Sequence, residues 1–202
     1  MKKMILTVFV LLSLIFPVVT ANSDQIISIN LSTIVSSSDV AFKGKCESKE
    51  AKIIYPEKYP NGLGTAHYVF LVEDVLKGDV KVGDHFAFDQ INETRESSRA
   101  KGIPYVGTVS YEVGKVYTVF LSKPSSIGLR FPPGADQSVF NVITDASGKT
   151  TIVNTKSNKG LFNALPVQSV KVLKSVNIDE RNPPSGPINY DDFKTIVEGM
   201  QQ

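Results

Sequence analysis

Val72–Asp89 reads VEDVLKGDVKVGDHFAFD. An apolar, strand-like run ends in Leu76-Lys77-Gly78. Four residues later Gly83-Asp84 turns the chain, and a second alternating run begins at His85. Glycine is the strongest local punctuation in a chain, and alternation of apolar and polar residues is the signature of a half-buried strand. The phrase therefore predicts two strands and a corner between them. The run feeding the corner, Thr65 to Leu76, is the longest strand expected. Its centre, Tyr68–Val72, is apolar at every position, which predicts a central strand covered on both faces.

Working outward, Leu31, Ile34 and Val35 share one helical face, and Asn30 precedes them as a capping residue. Val40, Phe42, Gly44 and Cys46 alternate, which predicts a strand with a bulge or bend at Gly44. Tyr55–Gly64, with two prolines and two glycines, predicts a loop, and so does the polar stretch Gln90–Gly102. Lys115–Leu121, Ile127–Phe131, Ser138–Thr144 and Thr150–Thr155 predict further strands. The last two flank a hairpin turn at Asp145–Gly148. Arg181–Pro187 is a Pro-rich, stiff linker into a helix over residues 190–200. There Phe193, Ile196, Val197 and Met200 form one face and Asn189 is the cap. This pattern predicts a mainly β fold. Its expected form is a small OB-like closed barrel of about five to seven antiparallel strands, with a short N-terminal helix and a C-terminal helix. A barrel leaves few exposed edges.

The chain of 202 residues opens Met1-Lys2-Lys3, continues apolar to Phe16 and closes Val19-Thr20-Ala21. Two lysines, a short apolar core and a small residue at the cut are the marks of a secretory signal peptide, with cleavage expected after Ala21. The run is shorter than the ~20 apolar residues needed to span a bilayer, so stable membrane insertion is not expected. Removing residues 1–21 takes two of the 22 basic residues and none of the 20 acidic ones. The remainder, residues 22–202, is formally neutral and reads as one domain in the periplasm or the medium. A neutral domain has no global field to attract nucleic acid, which is not an expected partner.

The candidate chemistries are thin. Gly148-Lys149-Thr150 lacks the earlier glycine of a phosphate loop and lies between strands instead of opening a helix. Gly62-Leu63-Gly64 is followed by His67 where a dinucleotide fingerprint needs glycine. The two histidines, His67 and His85, have no metal-ligand spacing, and no Gly-x-Ser-x-Gly is present. No catalytic residue, metal site or cofactor is expected. The single cysteine, Cys46, reads as a buried strand residue. What remains is a lysine–tyrosine patch: Lys49, Lys52, Tyr55, Lys58 and Tyr59, diluted by Glu47, Glu50 and Glu57. Such residues suit a partner through charge and stacking.

Taken in order, the early helix, Ser38-Asp-Val-Ala-Phe-Lys-Gly-Lys45, the strand ending Leu76-Lys-Gly78, Val82-Gly-Asp84 and Gly114-Lys-Val-Tyr-Thr-Val-Phe-Leu121 resemble the netrin-like domain. This is the OB-fold barrel of the tissue inhibitors of metalloproteinases, here in the form of bacterial exported members. The resemblance spans Leu31 to Thr155. It implies a barrel whose loops and one curved face meet a protein or glycan partner. In the inhibitors, a disulfide-bonded N-terminal cysteine chelates the target's zinc. Here the expected mature N-terminus is Asn22 and the sole cysteine is internal, so that activity does not carry over. The expected function is an exported, non-enzymatic binding module. The alternative is an extracellular peptidase inhibitor that acts through a loop.

Overall fold

The computed structural model describes residues 29–92, 109–179 and 182–201. The expected signal segment lies outside them, as do most of the Gln90–Gly102 loop and Arg181 of the linker. Among the described residues the protein is mainly β: one seven-stranded antiparallel sheet with three helices. In chain order these are α1 (Leu31–Ser37), β1 (Val40–Ile54), β2 (Leu63–Lys77), β3 (His85–Ile91), β4 (Val116–Leu121), β5 (Val139–Thr144), β6 (Thr150–Asn154), α2 (Val167–Ser175), β7 (Ile188–Asn189) and α3 (Tyr190–Gly199). The sheet order is β3-β2-β1-β4-β5-β6-β7, so its ladders do not close on themselves.

The corner phrase forms as read. Asp84 Oδ2 accepts from the Lys81 amide at 2.9 Å, the Asp84 amide donates to the Lys81 carbonyl, and Gly83 takes the left-handed backbone the turn requires (φ +91°). Gly78, also at positive φ, is more constrained. A side chain there would stand 2.6 Å from the Asp39 carbonyl oxygen, where the chain enters β1. Both helix caps also form. Asn30 Oδ1 accepts from the Thr33 amide, and Asn189 Oδ1 accepts from Asp191 and Asp192.

β1 and β2 pair through three register shifts, which coil the pair and curl the sheet. The middle shift falls at Gly44, where a Cβ would meet the Leu71 carbonyl oxygen at 2.7 Å. Inside the curl lies an aromatic core of Phe42, Tyr68, Phe70, Phe86, Phe88, Tyr111 and Tyr117, with Cys46 among them. Tyr111 is its hub. It meets Tyr68, Phe70 and Tyr117 edge-on at 4.9, 5.2 and 5.3 Å between ring centres. A second core fills the other face of β1, β4, β5 and β6. It joins Leu31, Ile34 and Val35 of α1 to Phe120, Phe140 and to Phe193, Ile196 and Val197 of α3.

Three expectations are corrected. The strand covered on both faces is β4, where Val119 and Leu121 enter the aromatic core and Phe120 the second core. In β2, His67, Val69 and Leu71 are only half-buried. Ile127–Phe131 is not a strand but touches β3 through one parallel bridge, Leu129 with Asp89. Gln90 is not in an exposed loop: it lies within β3, next to its last residue Ile91, and is buried. In addition, α2 has no counterpart among the sequence expectations. Leu173 roots it in the second core, and α3 approaches so closely that a Cβ on Gly199 would lie 2.7 Å from Val172.

Two stability differences follow from these contacts. Gly78→Ala should cost about 2–3 kcal/mol, combining left-handed strain with overpacking, whereas Gly83→Ala, which has nothing within 4 Å, should cost only about 1–2. Urea unfolding of the two variants measures the gap. The Tyr111 hydroxyl is buried without a hydrogen-bond partner among the described residues. Tyr111→Phe should therefore leave stability unchanged or raise it by about 1 kcal/mol, while Tyr111→Ala should cost about 3–5.

Candidate interaction surface

β1 leads a double life along its length. From Ala41 to Lys45 it is paired on both edges, with β2 on one side and β4 on the other. At Cys46 the β4 side ends: the Cys46 amide donates to the Lys115 carbonyl and the Gly114 amide to the Cys46 carbonyl. Beyond the bulge at Glu47 the strand continues from Ser48 to Ile54, paired with β2 alone among the described residues. This outer half shows no apolar–polar alternation and is mostly exposed, so backbone pairing with β2 makes it a strand.

The outer half and the connection to β2 carry the lysine–tyrosine patch, which the structure only partly assembles. Lys49 and Lys52 fall on opposite faces by strand alternation. Lys49 Nζ donates to Ser110 Oγ at 2.7 Å and stands 5.8 Å from the centre of the Tyr68 ring. Lys52 pairs with Glu50 at 3.6 Å. Lys58 caps the Tyr59 ring at 5.7 Å, and Tyr59 packs into a small cluster with Leu63, Leu129 and Ile91. Only Tyr55 presents an uncovered ring, 69% exposed.

Its companion was not among the sequence candidates. Ile53 is 64% exposed, and both side chains lie against Gly62, where a Cβ would meet Ile53 Cγ2 at 2.7 Å and Tyr55 Cε1 at 3.1 Å. The glycine, held at φ +86°, lets the two residues rest side by side on the β1–β2 connection. The connection is held by two turn hydrogen bonds, Tyr59 amide to Pro56 carbonyl and Gly62 amide to Tyr59 carbonyl. The result is a fixed tip bearing one aliphatic and one aromatic side chain.

The remaining polar groups are mostly committed to one another. His67 Nδ1 lies 2.9 Å from Asp89 Oδ1, its cross-strand neighbour, and His85 Nε2 lies 3.1 Å from Glu47 Oε2. The first pair has the geometry of a histidine oriented by a carboxylate. No hydroxyl or thiol among the described residues is hydrogen-bonded to His67 as a triad nucleophile would be. Among the described residues no group of three or more histidine, cysteine or carboxylate side chains is placed to hold a metal ion. Cys46 is fully buried, as expected. Burial pushes its thiol up from the ordinary value, and the nearby Lys49 charge opposes this.

A shallow groove of about 570 Å³ opens where β5 continues beyond its pairing with β4, lined by Lys43, Glu73, Lys115, Asn141 and Thr144 among others. Its cations are engaged: Lys43 lies 3.8 Å from Glu73 and over the Tyr190 ring, and Lys115 lies 2.7 Å from Glu112. Next to it, Asp74 joins β2 to α3, accepting from Lys194 Nζ at 2.7 and 2.9 Å and from the Tyr190 hydroxyl at 3.0 Å. Burial alone would raise the Asp74 carboxyl, but the Lys194 and Tyr190 hydrogen bonds outweigh it and hold the group below its ordinary value. Lys194 is held above its ordinary value chiefly by the same hydrogen bond. The three side chains form a clasp between β2 and α3.

Comparison with family models, with curated proteins and with solved structures finds no match for this chain.

The clasp has a definite pH signature. A carboxylate whose pKa is lowered by folding stabilises fully above its unfolded pKa and loses that contribution as pH falls through the folded value. Lys194, raised by folding, contributes below its unfolded pKa and loses the contribution as pH rises through the folded one. Asp74→Asn should thus cost about 1–2 kcal/mol at neutral pH. The difference from wild type should shrink below about pH 4 and again above about pH 10. Thermal unfolding of both proteins across that range checks it.

Proposed function

We propose that this protein is an exported, non-catalytic binding module built on a netrin-like, OB-like barrel, and that it takes a protein partner on the tip of its β1–β2 hairpin. The observation that carries the reading is the Ile53–Tyr55 pair, exposed side by side on a tip fixed by turn hydrogen bonds. Preorganised aromatic anchors contribute most to protein recognition because they lose little conformational freedom on binding. An aliphatic residue beside the ring favours a protein over a glycan, since stacking on a sugar uses only the ring.

The barrel reading draws support from connectivity. β1, β2 and β3 form a meander, β4 returns on the other side of β1, and the segment after β4 touches β3 in the parallel sense at Leu129. The Ser122 amide donates to Phe131 and the Arg130 amide to Asp89, so this segment lies between β4 and β3 as a reduced fifth stave. Export rests on the N-terminal sequence pattern, and the non-catalytic assignment on how the polar side chains pair with one another.

A second reading, inhibition of an extracellular peptidase, draws on the same tip. A turn-held loop anchored by Tyr59 is a rigid insert of the kind that fills a cleft without losing much entropy. Incubating the purified chain with extracellular extracts should enrich a defined protein. Tyr55→Ser with Ile53→Ser should lower its capture at least tenfold, the scale of losing an aromatic anchor. Thermal stability should be preserved, because both side chains are exposed. Equal capture by wild type and variant would remove the tip from the reading, and inhibition of a peptidase in a panel assay would favour the second reading over the first.

A further inference from the structure

The outer half of β1 is a regular strand with one unpaired edge, seven residues from Ser48 to Ile54, among the described residues. Such an edge is a template for pairing, and exposed lysines are a common device against it. Here the charges are arranged so that one register is not blocked. We infer that this edge pairs antiparallel with the same edge of a second copy, about a two-fold axis at Ala51.

The register follows from symmetry and charge. A two-fold axis normal to the sheet keeps every side chain on its own face, so facing residues differ in number by zero, two, four and so on. An axis at Lys49, Glu50 or Lys52 would set that charge against its own copy. An axis at Ser48 or Ile53 would leave most of the free edge without a mate. The axis at Ala51, midway along Ser48–Ile54, matches all seven residues and meets no like charge. It sets the small Ala51 against itself and Glu50 against Lys52 of the second copy, twice over by symmetry. It also sets the stem of Lys49 against the exposed Ile53. Glu50 and Lys52 already pair within one chain at 3.6 Å, so the four charges would alternate in one row. Opposite-charge neighbours across strands are stabilising and like-charge neighbours are not. The inference rests on the hairpin being a contact surface. It leaves the turns from Pro56 to Gly62 at the two ends of a continuous sheet.

Ala51→Cys gives a direct test, because the only native cysteine is buried. Under mild oxidation, the full chain carrying Ala51→Cys should form a covalent dimer much faster than Ser48→Cys, whose mate in this register is Ile54. Light scattering over a concentration series should show a mass rising toward twice the monomer. Glu50→Lys and Lys52→Glu should each weaken association by about tenfold, and the double variant Glu50→Lys/Lys52→Glu should restore it. Equal cross-linking of the two cysteine variants, or a monomer at every concentration, overturns the inference. So does a monomer in which the 48–54 amides that face away from β2 resist hydrogen exchange, since the chain would then cover its own edge. A chain that dimerises in this register but captures no partner would keep this inference and lose the binding-module reading. A monomer that captures a partner through Tyr55 does the reverse.

Discussion

Where β1 crosses β2 at Gly44, the two backbones come so close that a methyl group would meet the Leu71 carbonyl oxygen at 2.7 Å. The missing side chain permits the register shift beside it, and that shift, with its two companions, turns a flat pair into a curled one. Curling decides which residues meet. Phe42 and Cys46 turn inward on the aromatic core, while Ala41, one step away from Phe42, faces the helices. The same curl carries the strand away from β4 after Cys46. One end of β1 is therefore held on both edges and the other end is not. The proposed recognition surface is the end of β1 that β2 alone pairs among the described residues.

The two cores differ in how they hold together. The aromatic core gains from edge-on ring contacts, each contributing about 0.5–1.5 kcal/mol beyond simple burial. The second core is mostly aliphatic with four phenylalanines, and helices at opposite ends of the described chain cover it. β4 separates the two, so its residues Val116–Leu121 are almost continuously apolar. That run marks a strand with two faces to satisfy. Tyr68–Val72 shows the same run with less coverage, because Val69 and Leu71 stay half-buried.

Much of the fold was legible because its cues are local. Asn30 and Asn189 cap where the helical faces begin, and glycines 78, 83 and 148 mark turns whose positive φ excludes most other residues. What stayed hidden depends on partners distant in sequence. The extension of β1 through Ser48–Ile54 has no apolar alternation and exists because β2 supplies its hydrogen bonds. The helix α2 is rich in valine, which disfavours helix, and forms because Leu173 and Val172 have packing partners. The His67–Asp89 contact is a matter of register, which linear spacing does not encode. For the surface, composition pointed to the β1–β2 hairpin but not to its exposed face: Lys49, Lys52, Lys58 and Tyr59 are engaged, and Ile53 carries no sequence signal of exposure.

The second core also sets a schedule. Leu31, Ile34 and Val35 emerge before Phe120 and Phe140, and the residues that cover them, Phe193, Ile196 and Val197, emerge later still. A chain emerging in order holds an open apolar face until α3 arrives. A fragment that stops before Tyr190 lacks Phe193, Ile196 and Val197 and leaves that face bare.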